Sequence, residues 1–178
     1  MANLPVPIPA SVVPGSYITG ALWNANVQNG LSFLLNPPFA YLVQATAQSV
    51  ANATYAAILF DTEVQDTYGA HSNTTSSSRY TAQVAGTYYV RGLVSFATNA
   101  TGIRLATLGK NGSYTGQSGM TAAFPTQSTT NGYAITEGFV QLNAGDYVEL
   151  FGYHTAGAAL STAVAYQCSS LAVWWAHA

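Results

Sequence analysis

The chain contains six carboxylates and three histidines, and three of the carboxylates, Asp61, Glu63 and Asp66, lie close together in the sequence. Residues two apart in an extended strand share a face, so the side chains of Asp61 and Glu63 would point the same way. Calcium takes several oxygen ligands and could use such a group. The alternative is a solvated loop edge in which Asp66 forms a turn, and the sequence favours it. We therefore predict no metal ligand and no cofactor.

No other group of residues has the pattern of a catalytic site. The segment Gly116–Gly119 lacks the spacing of a nucleophile elbow, and no glycine-rich phosphate loop is present in the sequence. His71 and His154 stand in loop-like segments, where a surface or hydrogen-bonding role is the simpler interpretation. The single cysteine, Cys168, excludes an intrachain disulfide and a cysteine-based zinc site. The sequence therefore predicts that the protein is not an enzyme.

Aromatic residues beside polar loops could bind a sugar. Tyr114 and Tyr133 lie in or next to a segment rich in glycine, serine and threonine. An aromatic face near amide side chains suits stacking on a sugar ring, although aromatic residues of β-rich proteins commonly serve cores and interfaces. Tyr114 and Tyr133 are therefore candidate ligand-loop residues, with a structural role as the alternative.

Only 6% of the 178 residues are charged, and the net charge is −2. Four basic residues cannot neutralise many phosphates, which argues against nucleic-acid binding. No apolar run approaches the roughly 20 residues of a membrane helix, so no membrane partner is expected. Soluble monomers usually carry more charge, and a composition this poor in charge is typical of secreted proteins, multimers and assemblies.

The sequence of residues 1–40 predicts an extended arm followed by one short helix. Prolines recur up to about Ser16, which excludes a helix there and leaves either a frayed terminus or an arm along a neighbouring subunit. A helix is predicted over Gly20–Leu35, with Thr19 as its cap and two prolines after its end. Its apolar stripe packs either on its own domain or against a partner. The stripe consists of Trp23, Val27, Leu31 and Leu34.

Residues 41–178 show the alternation of β-strands. Short apolar runs are separated by glycine, asparagine and serine clusters, and tight turns are predicted at Asn111–Gly112 and Asn143–Asp146. This pattern predicts an all-β fold, an antiparallel sandwich or jelly roll. Several strands are apolar on both faces, which favours an oligomer.

Several segments of this region resemble the jelly roll of complement globular heads and tumour-necrosis-factor-like proteins. The segments are Ile58–Asp61 with Asp66–His71, Arg79–Val90, Leu105–Gly112, Val140–Leu150 and Ser169–Val173. The resemblance implies a compact homotrimer with aromatic strands in its core and about its axis. The candidate aromatic residues are Tyr80, Tyr88, Tyr89, Phe96 and Trp175. The chain departs from the pattern by lacking a collagen-like stem and by its long loop over Asn111–Gly132.

The N-terminal segment has a resemblance of its own. Ile18–Val27, with Phe33, Leu34 and the Pro37–Pro38 pair, resembles the opening of structural proteins from tailed phages of actinobacteria. The implied function is a non-enzymatic capsid decoration protein at the virion surface, made in the host bacterial cytoplasm. Its partners would be copies of itself and the major capsid protein or another virion protein, docked through the stripe.

Two other functions stay open at this stage. One is a tail-associated module that binds a receptor or a host-surface glycan through its loops. The other is an interaction domain outside any virus, for which a signal peptide, disulfides or a stem would be expected, and none of these is visible in the sequence.

Overall fold

The computed structural model describes residues 5–9, 11–114, 121–125, 130–165 and 167–178, with only the backbone of 121, 122, 124 and 125. The start of the predicted arm, residues 1–4, and Gly116–Gly119 lie outside the described residues. The described part of the arm before residue 19 forms neither helix nor strand. Its residues Pro5–Ile8 lie beside Ala25 and Asn29 of the following helix.

The predicted helix forms over its expected range, but it is not uniform. It consists of α1 (Gly20–Trp23), a π-helical turn (Asn24–Gln28) and α2 (Asn29–Leu35). The Leu22 N–H donates to Thr19 Oγ1 at 3.2 Å, so Thr19 caps the helix as predicted. The π turn contains five residues and interrupts the 3.6-residue spacing on which the predicted stripe was based.

Twelve strands follow the helix within the described residues. They are β1 (Phe39–Val43), β2 (Ser49–Val50), β3 (Ala56–Ala57), β4 (Thr62–Asp66), β5 (Arg79–Thr81), β6 (Gly86–Phe96), β7 (Ile103–Lys110), β8 (Thr121–Pro125), β9 (Gly132–Leu142), β10 (Tyr147–His154), β11 (Leu160–Ser161) and β12 (Ser170–His177). Strand β1 begins at Phe39, slightly before the predicted boundary at residue 41.

The strands form an antiparallel sandwich. The first sheet has the order β4-β1-β12-β6-β9, and the second has the order β3-β10-β7-β8, with β5 also pairing with β10. Strands β2 and β11 form a small additional pair. The first strand of the domain therefore pairs with the last, as β1 with β12. The predicted all-β jelly-roll sandwich is confirmed.

Two predicted turns form as expected. Asn111 and Gly112 have φ values of +52° and +79°, and the backbone groups of Lys110 and Ser113 exchange hydrogen bonds across them. These are the positive angles that a two-residue hairpin turn requires. The Asp146 N–H donates to the carbonyl of Asn143 at 3.0 Å and closes the second turn.

The core lies between the two sheets. Three of the candidate aromatic residues, Tyr80, Tyr88 and Phe96, are fully buried there. The Tyr88 hydroxyl donates to the carbonyl of Val84 at 2.6 Å, and burial raises the pKa of Tyr88 to about 12. The sheets approach closely at Gly92, because a Cβ added there would collide with Leu150.

Candidate interaction surfaces

The helix joins the sandwich through a small group of side chains that we call the basal cluster. Phe33, the buried residue of the helix, is 2% exposed and meets Trp175 of β12 edge to face, with ring centroids 4.9 Å apart. Tyr68 and Val84 complete the cluster, and Val6 of the arm packs against it. The arm, the helix and the last strand therefore meet at one point. The predicted core residue Trp175 contributes to this junction as well as to the edge of the main core.

Most of the predicted docking stripe faces solvent. Trp23, Leu31 and Leu34 are 53%, 54% and 70% exposed, and Val27 is half-buried. Leu35, which was not assigned to the stripe, is still more exposed. The helix packs on its own domain through Phe33, which is not part of the stripe. The stripe therefore remains available to a partner. Its docking role stays a prediction.

The two ends of the stripe lie in different surroundings. Trp23 and Val27 line an open groove of about 330 Å³ together with the arm residues Tyr17 and Ile18. Leu31 and Leu34 are not part of this groove. No charged side chain occurs in the sequence before Asp61, so the whole N-terminal surface is uncharged.

The outer face of the first sheet bears a row of four aromatic residues, here called the aromatic row. Its members are direct partners across neighbouring strands: Phe39 on β1, Trp174 on β12, Tyr89 on β6 and Phe139 on β9. The Tyr89 ring lies 4.4 Å from that of Trp174 and 5.1 Å from that of Phe139. Trp174 is 37% exposed and Phe139 62% exposed. Tyr89, predicted as a core or interface residue, therefore belongs to the outer face.

The row next to it is of mixed character. Tyr41, Ala172, Arg91 and Glu137 are partners across the same four strands. Arg91 Nε and Glu137 Oε2 are 3.6 Å apart, and both side chains are about half exposed. Exposed pairs of this kind contribute little stability. The row supplies a fixed pattern of charge beside a large apolar surface.

The two candidate ligand tyrosines lie on opposite faces of the sandwich. Tyr114 stacks on Tyr55 with centroids 4.4 Å apart and packs 5.2 Å from Phe151, on the outer face of the second sheet. Tyr153 joins this group through Tyr55. Tyr133 projects from β9 on the first sheet and is 44% exposed. The structure therefore does not combine Tyr114 and Tyr133 in one site.

Two of the three clustered carboxylates, Asp61 and Asp66, serve turns, and Glu63 is exposed on β4. Asp61 accepts hydrogen bonds from the backbone N–H groups of residues 45 and 46 at 2.6 and 2.9 Å. Burial alone would raise the pKa of Asp61, but the hydrogen bonds from this turn lower it below its ordinary value. Asp66 accepts from the N–H groups of residues 68 and 71, as expected for a turn-forming residue. Within the described residues, no three His, Cys, Asp or Glu side chains form a group able to hold a metal ion.

The histidines are held by the backbone. His154 is buried, and its Nε2 lies 3.0 Å from the carbonyl of Val50. Its Nδ1 accepts a hydrogen bond from the N–H of residue 156 at 3.2 Å, so the ring proton is on Nε2. The ring nitrogens of His71 lie 2.8 and 3.0 Å from the carbonyl oxygens of Arg79 and Phe60. Both rings therefore serve hydrogen bonding, in line with the simpler interpretation of the sequence.

One polar arrangement was not identified from the sequence. Arg79 Nε is 3.3 Å from Glu149 Oε1, and the guanidinium carbon lies 4.1 Å above the ring of Tyr147. Ser78 Oγ donates to the same Glu149 oxygen at 2.7 Å. The alternation of Tyr147 and Glu149 on β10 places both on one face. Their pairing with β5, which lies far away in the sequence, gave no local signal.

Comparison with known proteins supports the fold through structure alone. No protein-family profile and no curated protein sequence matches the chain. Among solved structures, the globular domain of zebrafish complement 1qA protein is similar, with 10% identity and a TM-score of 0.58, covering 79% of this chain and 98% of that one. Murine APRIL at pH 5.0 has 11% identity and a TM-score of 0.58, with 78% and 98% covered. Eiger TNF from S. frugiperda has 14% identity and a TM-score of 0.55, with 79% and 95% covered.

The fold is that of the C1q and TNF jelly rolls. At such low identity the likeness extends to the fold only. It agrees with the resemblance seen in the strand motifs. Among the described residues, no helix is long and apolar enough to span a bilayer.

Proposed function

We propose that the chain is a non-enzymatic structural component of a phage virion, a homotrimeric decoration protein on the capsid. Residues 1–40 dock to the major capsid protein or another virion protein, and the jelly roll forms the trimer and projects outward. The observation that carries the proposal is the uncharged, exposed N-terminal surface attached to the jelly roll at the basal cluster.

Trimer formation is supported by the outer face of the first sheet. Four aromatic residues in one continuous row are an unusually apolar surface for a soluble monomer. Aromatic residues are enriched in the centres of protein interfaces. The row begins at Phe39, immediately after the Pro37–Pro38 pair that ends the helix. Packing of the sheets against neighbouring copies would bring the N-terminal segments of the subunits close together.

Docking is supported by the exposure of the stripe. Trp23, Leu31 and Leu34 are more than half exposed, although they lie in a helix whose residue Phe33 is buried against the sandwich. Isolated helices of this length are marginal in water, so burial of the exposed side would stabilise the helix. The absence of charge in this part of the sequence makes the contact insensitive to salt.

The decisive experiment is the copy number of the chain in purified particles of the encoding phage, measured by quantitative mass spectrometry against the major capsid protein. Tens to hundreds of copies support decoration of the capsid. Complete absence from the particles contradicts the virion proposal.

Docking itself is tested with particles that lack the chain. Trp23→Ala is expected to reduce their occupancy by the added protein while leaving the jelly roll folded, because Trp23 is exposed and lies outside the core. Ile103→Ala, which alters an exposed apolar residue of the second sheet away from the aromatic row, is the matched control and should bind normally. Equal occupancy by wild type and Trp23→Ala would rule out the docking role of the stripe.

The second candidate function is a tail-associated module that binds a receptor or a host-surface glycan. The stacked pair of half-buried Tyr55 and exposed Tyr114 on the second sheet favours it, since this face is separate from the aromatic row. A copy number of only a few per particle would support a tail location. Loss of host adsorption on changing Tyr114 would then assign recognition to this face.

A further inference from the structure

We propose that the cleft beside Arg79 binds a neutral sugar unit. This proposal is independent of whether the chain decorates a capsid or a tail. The cleft has a volume of about 240 Å³ and lies between the loop over residues 69–76 and the start of β5. That volume is below the roughly 300–1,000 Å³ of sites for drug-sized ligands, which suits a single monosaccharide.

The wall of the cleft is rich in groups that bind hydroxyls. Its polar lining residues are Ser72, Thr75, Ser76, Thr81 and Gln83. Ser72 is engaged, because its Oγ accepts from the N–H groups of residues 74 and 75. In the part of the chain that the structure describes, the hydroxyls of Thr75, Ser76 and Thr81 have no protein hydrogen-bond partner, and Gln83 uses only its Nε2. Hydroxyls both donate and accept, so they match the hydroxyls of a sugar.

Arg79 supplies the rigid donor of the cleft. Its Nε is paired with Glu149, and its guanidinium carbon lies 4.1 Å from the centroid of the Tyr147 ring. Among the described residues, both Nη groups are free of protein partners. The side chain is 41% exposed, so these groups face solvent. A guanidinium held on two sides loses little conformational freedom when it donates to a ligand.

The charges around the cleft favour a neutral ligand over an acidic one. Glu149 neutralises Arg79, and the carboxylate of Asp66 accepts the N–H of His71 in the wall of the cleft. The imidazole nitrogens of His71 face carbonyl oxygens, so the ring offers no donor to an anion. These two carboxylates do not line the cleft, but they lie beside His71 and Arg79, which do, and they outnumber the one guanidinium. An acidic sugar would be repelled by this excess of negative charge, and a neutral ring has no such penalty.

The proposal is tested by titrating the ¹⁵N-labelled full chain with the methyl glycosides of glucose, galactose, mannose, N-acetylglucosamine and N-acetylgalactosamine, and with glucuronic acid. We expect at least one neutral glycoside to shift the amide signals of residues 69–83 saturably, with a Kd on the order of 1 mM. Thr75→Val removes a hydroxyl while keeping the shape, and Arg79→Lys keeps the charge beside Glu149 while removing the planar fork. Each is expected to weaken binding at least about fivefold.

Two controls separate this site from general effects. Ile103→Ser alters an exposed residue of the second sheet that has no assigned binding role, and it should leave the affinity unchanged. Amide spectra of the Thr75→Val and Arg79→Lys variants must retain the dispersion of the folded chain. The proposal is overturned if no neutral glycoside shifts residues 69–83 at about 50 mM, if only glucuronic acid does, or if the folded variants bind like wild type. Shifts centred on Tyr55 and Tyr114 would place recognition elsewhere and also refute it.

Discussion

Phe139→Ser is expected to dissociate the trimer without unfolding the subunit. Phe139 is 62% exposed in the isolated subunit and stands at the end of the aromatic row, next to Tyr89. Its side chain is on the outer face of β9, so its removal opens no cavity in the core. The loss inside the subunit is limited to one aromatic contact, worth about 0.5–1.5 kcal/mol.

The magnitude at the interface follows from the exposed area. Burying an aromatic residue covers roughly 150–250 Å², so the 62% that Phe139 exposes corresponds to about 120 Å². At about 25 cal/mol per Å² this area is equivalent to about 3 kcal/mol per subunit. Interface area converts only partly into affinity, so we expect roughly 1–3 kcal/mol, a factor of about 5–150 for each subunit contact.

Sedimentation velocity across the micromolar range, together with thermal unfolding, measures both effects. Wild type should sediment as a trimer and Phe139→Ser as a monomer or a mixture, with a similar melting temperature for the dissociated chain. Ile103→Ser is the matched control, because Ile103 is 42% exposed but lies on β7 of the second sheet. A Phe139→Ser chain that sediments like wild type, or a monomeric wild type, would refute the assignment of this face.

Three further predictions concern the subunit itself. Phe33→Ala removes the buried side chain that holds the helix on the sandwich, and we expect the free energy of this packing to fall by about 3–5 kcal/mol. The measurement is amide exchange, which should become faster over residues 20–35 while the sandwich stays protected. Gly92→Val should lower the melting temperature strongly, because its Cβ would collide with Leu150; an unchanged melting temperature would contradict this close approach. Hydrogen bonds from Asn111, Lys110 and Asn143 hold the pKa of Asp146 well below its ordinary 3.8, so this carboxylate stabilises the fold above that pH and less as the pH falls. The melting temperature of Asp146→Asn should therefore lie below that of wild type at pH 6 and approach it on acidification; a constant difference would exclude this linkage.

Local rules were sufficient for much of the fold. The Asn111–Gly112 hairpin and the cap at Thr19 each depend on a few neighbouring residues, and both formed as predicted. Along β6 the buried residues alternate only up to Gly92, because Leu93 and Ser95 are buried as well. The π turn was not foreseen, because five-residue turns leave no periodic signature in a helix of this length.

The candidate surfaces required the tertiary structure. Phe39, Tyr89, Phe139 and Trp174 lie far apart in the sequence, and only the strand order β1-β12-β6-β9 makes them neighbours. The same holds for the cleft, where Arg79 meets Tyr147 and Glu149 through the pairing of β5 with β10. Composition and periodicity determined that this chain is an uncharged N-terminal segment followed by an antiparallel sandwich, because those properties depend on local residue preferences. Which aromatic residues fill the core and which form an outer face was decided by the pairing register, since a cross-strand neighbour is specified by the whole sheet and not by the residues beside it.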